Sequence, residues 1–328
     1  MHFNINIDSE IPKYQQLVDA ITNELANNRL FVGDTLPSVN SVCNTYNLSR
    51  DTVFKAYSIL KEQGVIESVP NKGYYIAAEN RKVLLVLDTF KAYKEVLYHA
   101  FVNNLPDNVI VDIQFHHYNI ENFKTILSNS AGKYYKYVVM NFNNEEVKTA
   151  ISDIDSSKLL LIDWNIYANA SNNYVFQDFG ASAYQCLVAA KPAFKKYKKL
   201  VFVYPHFTYH PAETLENFIT FCQDHQLDHD VVTDVKSFKV QKHEAYISVS
   251  DRVLGQFLEQ CRNHELEPGT DVGFLSYNET PMKKFIYKGI SVISTDFEAM
   301  GLKAAEFIGS DTGVKAYIPT TLILRDSL

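Results

Sequence analysis

The stretch Gly33–Ile76, GDTLPSVNSVCNTYNLSRDTVFKAYSILKEQGVIESVPNKGYYI, decides how the first part of this chain folds. Pro37 suits the first turn of a helix, where a missing N–H costs no hydrogen bond. Val39, Val42, Cys43 and Tyr46 then recur at helical spacing. Asn47-Leu48 makes a tight break, and Ser49 is a good N-cap for a second helix. In that helix Val53, Ala56, Tyr57 and Leu60 form an apolar stripe, while Arg50, Asp51, Phe54 and Lys55 fall on other faces. Gly64 stops it, Val65–Val69 and Tyr74–Ile76 read as two strands, and Pro70-Asn71-Lys72-Gly73 is the turn between them. Upstream, Ile11-Pro12 opens another helix with Leu17, Ile21 and Leu25 every four residues. A helix-turn-helix followed by a small β-wing is a shape that enters the major groove of DNA.

The order of these pieces resembles the winged-helix domain of the GntR family of bacterial regulators. The resemblance is carried by Ile11-Pro12 with Tyr14-Gln15, Gly33, Leu36-Pro37-Ser38, Leu48-Ser49-Arg50 with Thr52-Val53, Ala56-Tyr57, Leu60, Gly64 and Lys72-Gly73. It implies that Ser38, Ser49, Arg50 and Thr52 meet phosphates or base edges, with the wing near the minor groove. The candidate DNA-binding set is Ser38, Asn40, Ser49, Arg50, Asp51, Thr52, Lys55, Asn71, Lys72 and Gly73. Two positions depart from the family pattern, Asn40 and Phe54, where the family usually carries arginines. The operator sequence therefore does not carry over from relatives.

Charge tempers this expectation. Residues 1–76 hold six Lys and Arg against eight Asp and Glu, a net of −2. Neutralising phosphates supplies most non-specific DNA affinity, so such binding is expected to be weak and occupancy to depend on a dimer.

The 328 residues carry a net charge of −7 and are 46% hydrophobic, as in a globular protein with more than one core. No apolar run approaches a membrane span, and the first residues lack the basic and apolar regions of a secretory signal. Cys43, Cys186, Cys222 and Cys261 are far apart, which fits reduced thiols in a cytoplasmic protein better than disulfides or zinc ligands. The histidines show no metal-ligand spacing, so no metal and no catalytic set is expected.

After the polar segment 77–82, read as a linker, short apolar strands alternate with helices. Strands are expected at Val83–Leu87, Val109–Phe115, Tyr137–Met140, Leu159–Ile162, Leu200–Tyr204, Val231–Val235, Ala245–Val249 and Val272–Ser276. Helices are expected between them, which predicts a doubly wound α/β fold. No glycine-rich phosphate loop follows any strand, so no nucleotide cofactor is expected.

The closing region resembles the end of the effector domain of LacI-type repressors, which share the fold of periplasmic sugar-binding proteins. The residues that carry it are Tyr246–Asp251, Asp271–Glu279, Gly289–Thr295, Phe297–Ala305 and Ile318–Arg325, with Ile162-Asp163, Asp178 and Gly180 before them. With the first domain this gives an AraR-like architecture. It implies a winged helix-turn-helix domain (1–76), a linker (77–82) and a two-lobed, periplasmic-binding-protein-like α/β domain for effector binding and dimerisation (83–328). Strand-end loops supply the candidate effector-binding residues Thr89, Phe90, His116, Asn141, Asp163, Trp164, His206, Phe207, Asp251, Arg252, Asn278 and Glu279. Trp164, the only tryptophan, is a stacking platform or equally a rim aromatic, and Asp251 is a hydroxyl ligand or a helix cap. The family usually has an arginine entering the second-lobe helix after Tyr204, whereas His210–Phe218 has none.

The expectation is a cytoplasmic regulator, a repressor rather than an activator, binding an inverted-repeat operator on double-stranded DNA as a homodimer. Its effector is expected to be a monosaccharide such as a pentose or deoxyhexose. Three rivals remain: an enzyme on a GntR-like head, an all-helical metal-binding sensor, and a ligand-free interaction module. The first lacks a lysine in a recognisable cofactor motif, and the strand-rich rhythm opposes the second.

Overall fold

The computed structural model describes residues 3, 5, 6, 9, 11–27, 29–70, 73–77, 81–166, 173–310 and 312–328. It divides into two compact units, residues 1–82 with 107–110, and residues 83–106 with 111–328.

The first unit contains α1 (Lys13–Ala26), α2 (Val39–Tyr46), α3 (Arg50–Glu62), β1 (Ile66–Val69) and β2 (Gly73–Ile76). Pro37 stands before the helix rather than in its first turn. Ser38 takes the N-cap instead, its hydroxyl accepting from Ser41 N–H. Asn47 turns the chain at φ 50°, a left-handed conformation that asparagine tolerates. Ser49 then caps α3 by accepting from Thr52 N–H. Leu17, Ile21, Val42, Val53, Ala56 and Leu60 are fully buried together, each large one contributing about 1.5–3 kcal/mol. Tyr57 donates to Pro37 O at 2.7 Å, tying α3 to the start of α2. The antiparallel β1–β2 pair runs from Ile66↔Ile76 to Val69↔Gly73. The predicted wing-tip residues Asn71 and Lys72 lie outside the described residues, as do 78–80 of the predicted linker. Arg81 and Lys82, also read as linker, are the first residues of a strand.

The second unit is two α/β lobes. The first lobe holds β3 (Arg81–Leu87), α4 (Ala92–Val102), β4 (Val109–Phe115), α5 (Ile120–Ser130), β5 (Lys136–Met140), α6 (Glu145–Ser152), β6 (Leu159–Asp163) and β7 (Asn173–Gln177). The second holds α7 (Ala181–Phe194), β8 (Lys199–Val203), α8 (Glu213–Asp224), β9 (His229–Val232), β10 (Glu244–Ser248), α9 (Asp251–Asn263), β11 (Gly273–Tyr277) and β12 (Ser291–Thr295). The chain then returns to the first lobe with α10 (Phe297–Gly309) and β13 (Lys315–Ile318), and crosses again to β14 (Thr320–Ile323). The sheet orders are β13-β7-β6-β5-β3-β4 and β14-β12-β11-β10-β8-β9. β12–β14 is antiparallel, and the other pairings of the second sheet are parallel.

The central strands, such as Val83–Leu87 and Lys136–Met140, are buried throughout, as expected where helices cover both faces. Strand β7 was not anticipated. Its sequence, NYVFQ, has a polar residue at each end, and only pairing with β6 and β13 makes it a strand.

Candidate functional site

The head offers a candidate nucleic-acid surface on α2 and α3. Ser38, Asn40, Ser49, Arg50, Asp51, Lys55 and Gly73 are exposed, and Thr52 is half-buried. Ser38 and Ser49 are occupied as helix caps, and Ser49 Oγ also bonds Thr52 Oγ1 at 2.8 Å. Asp51 sits in the first turn of α3, where a negative charge favours the helix dipole. Lys55 is drawn sideways, its ammonium 3.8 Å from the Tyr14 ring centroid. Arg50 lies 5.8 Å from the centroid of the exposed Phe54. Gly73 has φ 92°, which only glycine adopts without strain, so the wing turn needs it.

In the second unit the carboxyl ends of the strands meet around an interlobe cavity of about 470 Å³. The first lobe contributes Asp88, Lys91, Tyr93, Tyr118, Asn141, Asp163, Trp164 and Gln177, and the second contributes Phe207, Tyr209, His210, Ser250, Asp251, Arg252, Tyr277 and Asn278, among others. This is the size range of small-molecule pockets, about 300–1,000 Å³. Three wall residues, Tyr118, Asp163 and Asn278, have φ values of 57°, 79° and 60°. A non-glycine residue in this region is strained, and such strain clusters at binding sites.

The electrostatics of the floor are set by buried pairs. Asp88, 2% exposed, accepts from Lys94 Nζ, Tyr118 Oη and Thr89 N–H. Burial alone would raise its carboxyl, but Lys94, Tyr118 and that N–H together hold it below the usual range. Among the described residues Asp163 has no such cation in contact. Burial raises it, against the pull of Lys94 and a hydrogen bond from Gln177. Lys91, exposed at the mouth, is lowered by desolvation and by Lys94, against the carboxylates of Asp88, Asp251 and Asp163. His210 donates or accepts at Thr214 Oγ1 at 2.8 Å, and burial lowers it to about 3, so its ring is neutral. Lys283 is buried behind Asp251, pairing with it at 2.8 Å and donating to Tyr277 O and Asn278 O. Asn141, 3% exposed, lines the cavity, and among the described residues neither its amide oxygen nor its nitrogen has a hydrogen-bond partner. Asn278 Oδ1 is likewise unpaired. A buried amide in that state is costly unless something in the cavity bonds it.

Two rings bridge the cavity. Tyr118 and Tyr209, one from each lobe, stack with centroids 3.8 Å apart and planes 6° apart. Arg252 lies over Phe207 at 5.2 Å. A hollow of about 520 Å³ also lies between α5 and α6, with the Lys124–Glu146 ion pair in its lining. Among the described residues no orphaned buried polar atom lines it, so the interlobe cavity is the better candidate.

Of the predicted effector residues, Asn141, Asp163, Trp164, Phe207, Asp251, Arg252 and Asn278 come together here. The other five lie outside the wall. Thr89 spends its N–H on Asp88, and Phe90 turns out to meet Tyr98 and Phe115. His116 is fully buried, stacked on Phe142 and bonded to Met140 O, with burial lowering it to about 4. His206 is exposed on its loop, and Glu279 is paired with Arg325. Neighbours along an extended segment face opposite ways, so the right loop does not identify the right residue. Asp88, Lys91, Tyr93, Tyr118, Gln177, Phe179, Tyr209, His210 and Tyr277 were missed. Asp88 had a signal, as the residue ending the first buried strand. Gln177 and Phe179 had none without β7.

Comparison with known proteins matches the two parts of the chain separately. The family profile described as bacterial regulatory proteins, gntR family, matches residues 13–76. The HTH-type transcriptional repressor YtrA of Bacillus subtilis is 35% identical over 95 residues, 28% of this chain and 72% of that protein. The mannosyl-D-glycerate transport/metabolism system repressor MngR of Escherichia coli is 35% identical over 68 residues, 21% of this chain but only 28% of that protein. The rest of the chain is similar in fold to solved regulators. The trehalose repressor from Escherichia coli superposes with a TM-score of 0.63 at 13% identity, over 74% of this chain and 100% of that one. A LacI family transcriptional regulator from Arthrobacter, solved in complex with lactose, gives 0.62 at 11% identity, over 76% and 99%.

Proposed function

The chain belongs to the GntR family of bacterial regulatory proteins, and from that premise we propose that it is a cytoplasmic, non-enzymatic repressor whose grip on an inverted-repeat operator is controlled by a small sugar. It is a DNA-binding transcriptional regulator with a LacI-like effector domain. The finer reading assigns residues 1–76 to DNA and residues 83–328 to effector binding and dimerisation. Ser38, Asn40, Arg50, Thr52 and the wing approach DNA, and the interlobe cavity takes a monosaccharide such as a pentose or deoxyhexose.

The observation that carries the effector reading is Asn141, a buried amide with both ends unpaired in a polar cavity walled by Tyr93, Tyr118, Trp164, Phe207, Tyr209 and Tyr277. A sugar ring presents hydroxyls that both donate and accept, which an amide satisfies, and C–H faces that pack on aromatic rings. YtrA and MngR are both named repressors, and two LacI family structures hold lactose and glucose, which supports the sign and the ligand class. A homodimer is favoured by exposed Val96, Phe285 and Ile323 around one surface hollow, and by a head too acidic to hold DNA well alone. Among the described residues, no helix is long and apolar enough to cross a membrane.

A second reading, a sugar acid or sugar phosphate, is favoured by Lys91 and Arg252, one cation from each lobe, neither in an ion pair among the described residues. Trp164 is the only tryptophan and lines the cavity, so its fluorescence reports occupancy. Titration with neutral monosaccharides and their phosphorylated and acidic counterparts should give a saturable change with one class, abolished in Asn141→Ala. No change with any of them would remove the sugar reading.

A further inference from the structure

We infer that Phe54 reads DNA sequence directly, by packing its ring against the C5-methyl group of a thymine in the major groove. The inference rests on the DNA-binding reading of the head and deepens it.

Four positions of α3, Val53, Ala56, Tyr57 and Leu60, already supply the buried stripe that holds the helix to the domain. Phe54 falls off that stripe and is 42% exposed. Isolated exposed apolar side chains are ordinary on a protein surface. This one, however, stands in the second turn of the second helix of a helix-turn-helix, the segment that such domains insert into the groove. Its neighbour one turn earlier is Arg50, with the guanidinium 5.8 Å from the ring centroid. The cation and the ring are therefore neighbours on one side of α3, within cation–π range of each other.

In the major groove every base edge presents hydrogen-bond donors and acceptors, and the largest apolar group among them is the thymine methyl. Phenylalanine can neither donate nor accept, so desolvating a polar edge against it is unfavourable. The methyl is the base-edge group that buries the most apolar surface against it. The charge of the head fits such a contact. With a net of −2, affinity cannot rest on phosphates alone, and apolar base contact is insensitive to that balance.

The test begins with in vitro selection of an operator by the full-length chain. Each thymine of the selected duplex is then replaced singly by deoxyuridine, which removes the methyl and nothing else. Fluorescence anisotropy should find one thymine per half-site where the wild type loses about four-fold, and about fifteen-fold when both half-sites are replaced. Phe54→Ala should bind more weakly and no longer distinguish uracil from thymine, and Phe54→Leu should retain part of the discrimination. Because the side chain is exposed, both variants should keep the wild-type circular dichroism. Operator binding with no uracil penalty at any position, or a penalty that persists undiminished in Phe54→Ala, overturns the inference. Failure to select any DNA overturns the DNA-binding reading beneath it.

Discussion

Replacing Lys94 with methionine tests whether the floor of the cavity is an electrostatic construction. Lys94 is 1% exposed and Asp88 2%, and the two are in direct ion-pair contact. Methionine retains most of the apolar stem, so the change removes chiefly the charge. Breaking a buried pair by deleting one partner costs about 3–5 kcal/mol, because the other charge is left uncompensated. Tyr118 and Thr89 N–H still donate to Asp88, which puts the expected loss near the lower limit, about 3 kcal/mol. The pH dependence should change sign. In the wild type the carboxyl is held below its unfolded value, so its contribution is complete above that value and fades only as acid titrates it. Without Lys94, burial raises the folded value above the unfolded one, so the penalty grows as pH rises through it. Urea unfolding followed by Trp164 fluorescence reports this unit alone, since the chain has no other tryptophan. Asp88→Asn added to Lys94→Met should recover part of the loss by removing the stranded charge. A single variant within about 0.5 kcal/mol of wild type, or a double variant no more stable than the single, would refute the reasoning.

Three further outcomes are expected. Tyr57→Phe leaves Pro37 O without its donor and should cost the head about 1–2 kcal/mol, seen as faster hydrogen exchange of α2 and α3 amides. His116 and His210 are held neutral by burial, with folded values of about 4 and about 3 against 6.5 unfolded. Stability should therefore fall as pH drops below 6.5, by about 2 kcal/mol at pH 5 for the fully buried His116 and less for the partly exposed His210. Unfolding midpoints that stay level from pH 7 to 5 would contradict this. Thr295→Val removes bonds to Gln177 Oε1 at 2.7 Å and Thr320 Oγ1 at 3.0 Å. Ligand affinity measured by Trp164 fluorescence should change less than the ligand's effect on operator binding, and equal changes in both would argue against a hinge role for Thr295.

Much of this organisation was legible in residues. The head could be read because each local signal agrees with the next: Ser49 caps, Gly64 stops, and the Val53-Ala56-Tyr57-Leu60 stripe has one period. The body could be read as α/β because its strands are continuous apolar runs. The site was harder. Loops at strand ends were located correctly, yet Asp88 lines the cavity while Thr89 and Phe90 beside it do not. His116 resembled a ligand-binding residue in sequence, but its ring is used to fill the space between Phe123 and Phe142. Tyr118 and Tyr209 stand 91 positions apart and meet only through the tertiary fold. No local pattern carries that pairing.

How the cavity communicates follows from where the polar contacts run. The chain crosses between lobes after β7, after β12 and between β13 and β14. Thr295 Oγ1, at the second crossing, bonds Gln177 at the first and Thr320 at the third, and Thr320 Oγ1 donates to Asp178 O at 3.2 Å. Gln177 in turn donates to Asp163 in the cavity wall. The hinge is thus a small hydrogen-bonded cluster that reaches the cavity wall through Gln177 and Asp163, rather than a packed apolar seam that would resist rotation. Opposing it, the Tyr118–Tyr209 stack joins the lobes across the mouth. Parallel ring pairs of this kind contribute about 0.5–1.5 kcal/mol beyond the area they bury. Allosteric coupling is typically about 1–3 kcal/mol. A clasp of that size is weak enough for a ligand touching both lobes to override, and strong enough that removing it would shift the balance of lobe arrangements. A ligand moves such a balance only through contacts that differ between arrangements. On the proposed function, Asp163, bonded to the hinge through Gln177 and without a cation in contact among the described residues, is the wall residue through which a bound ligand would act on the hinge.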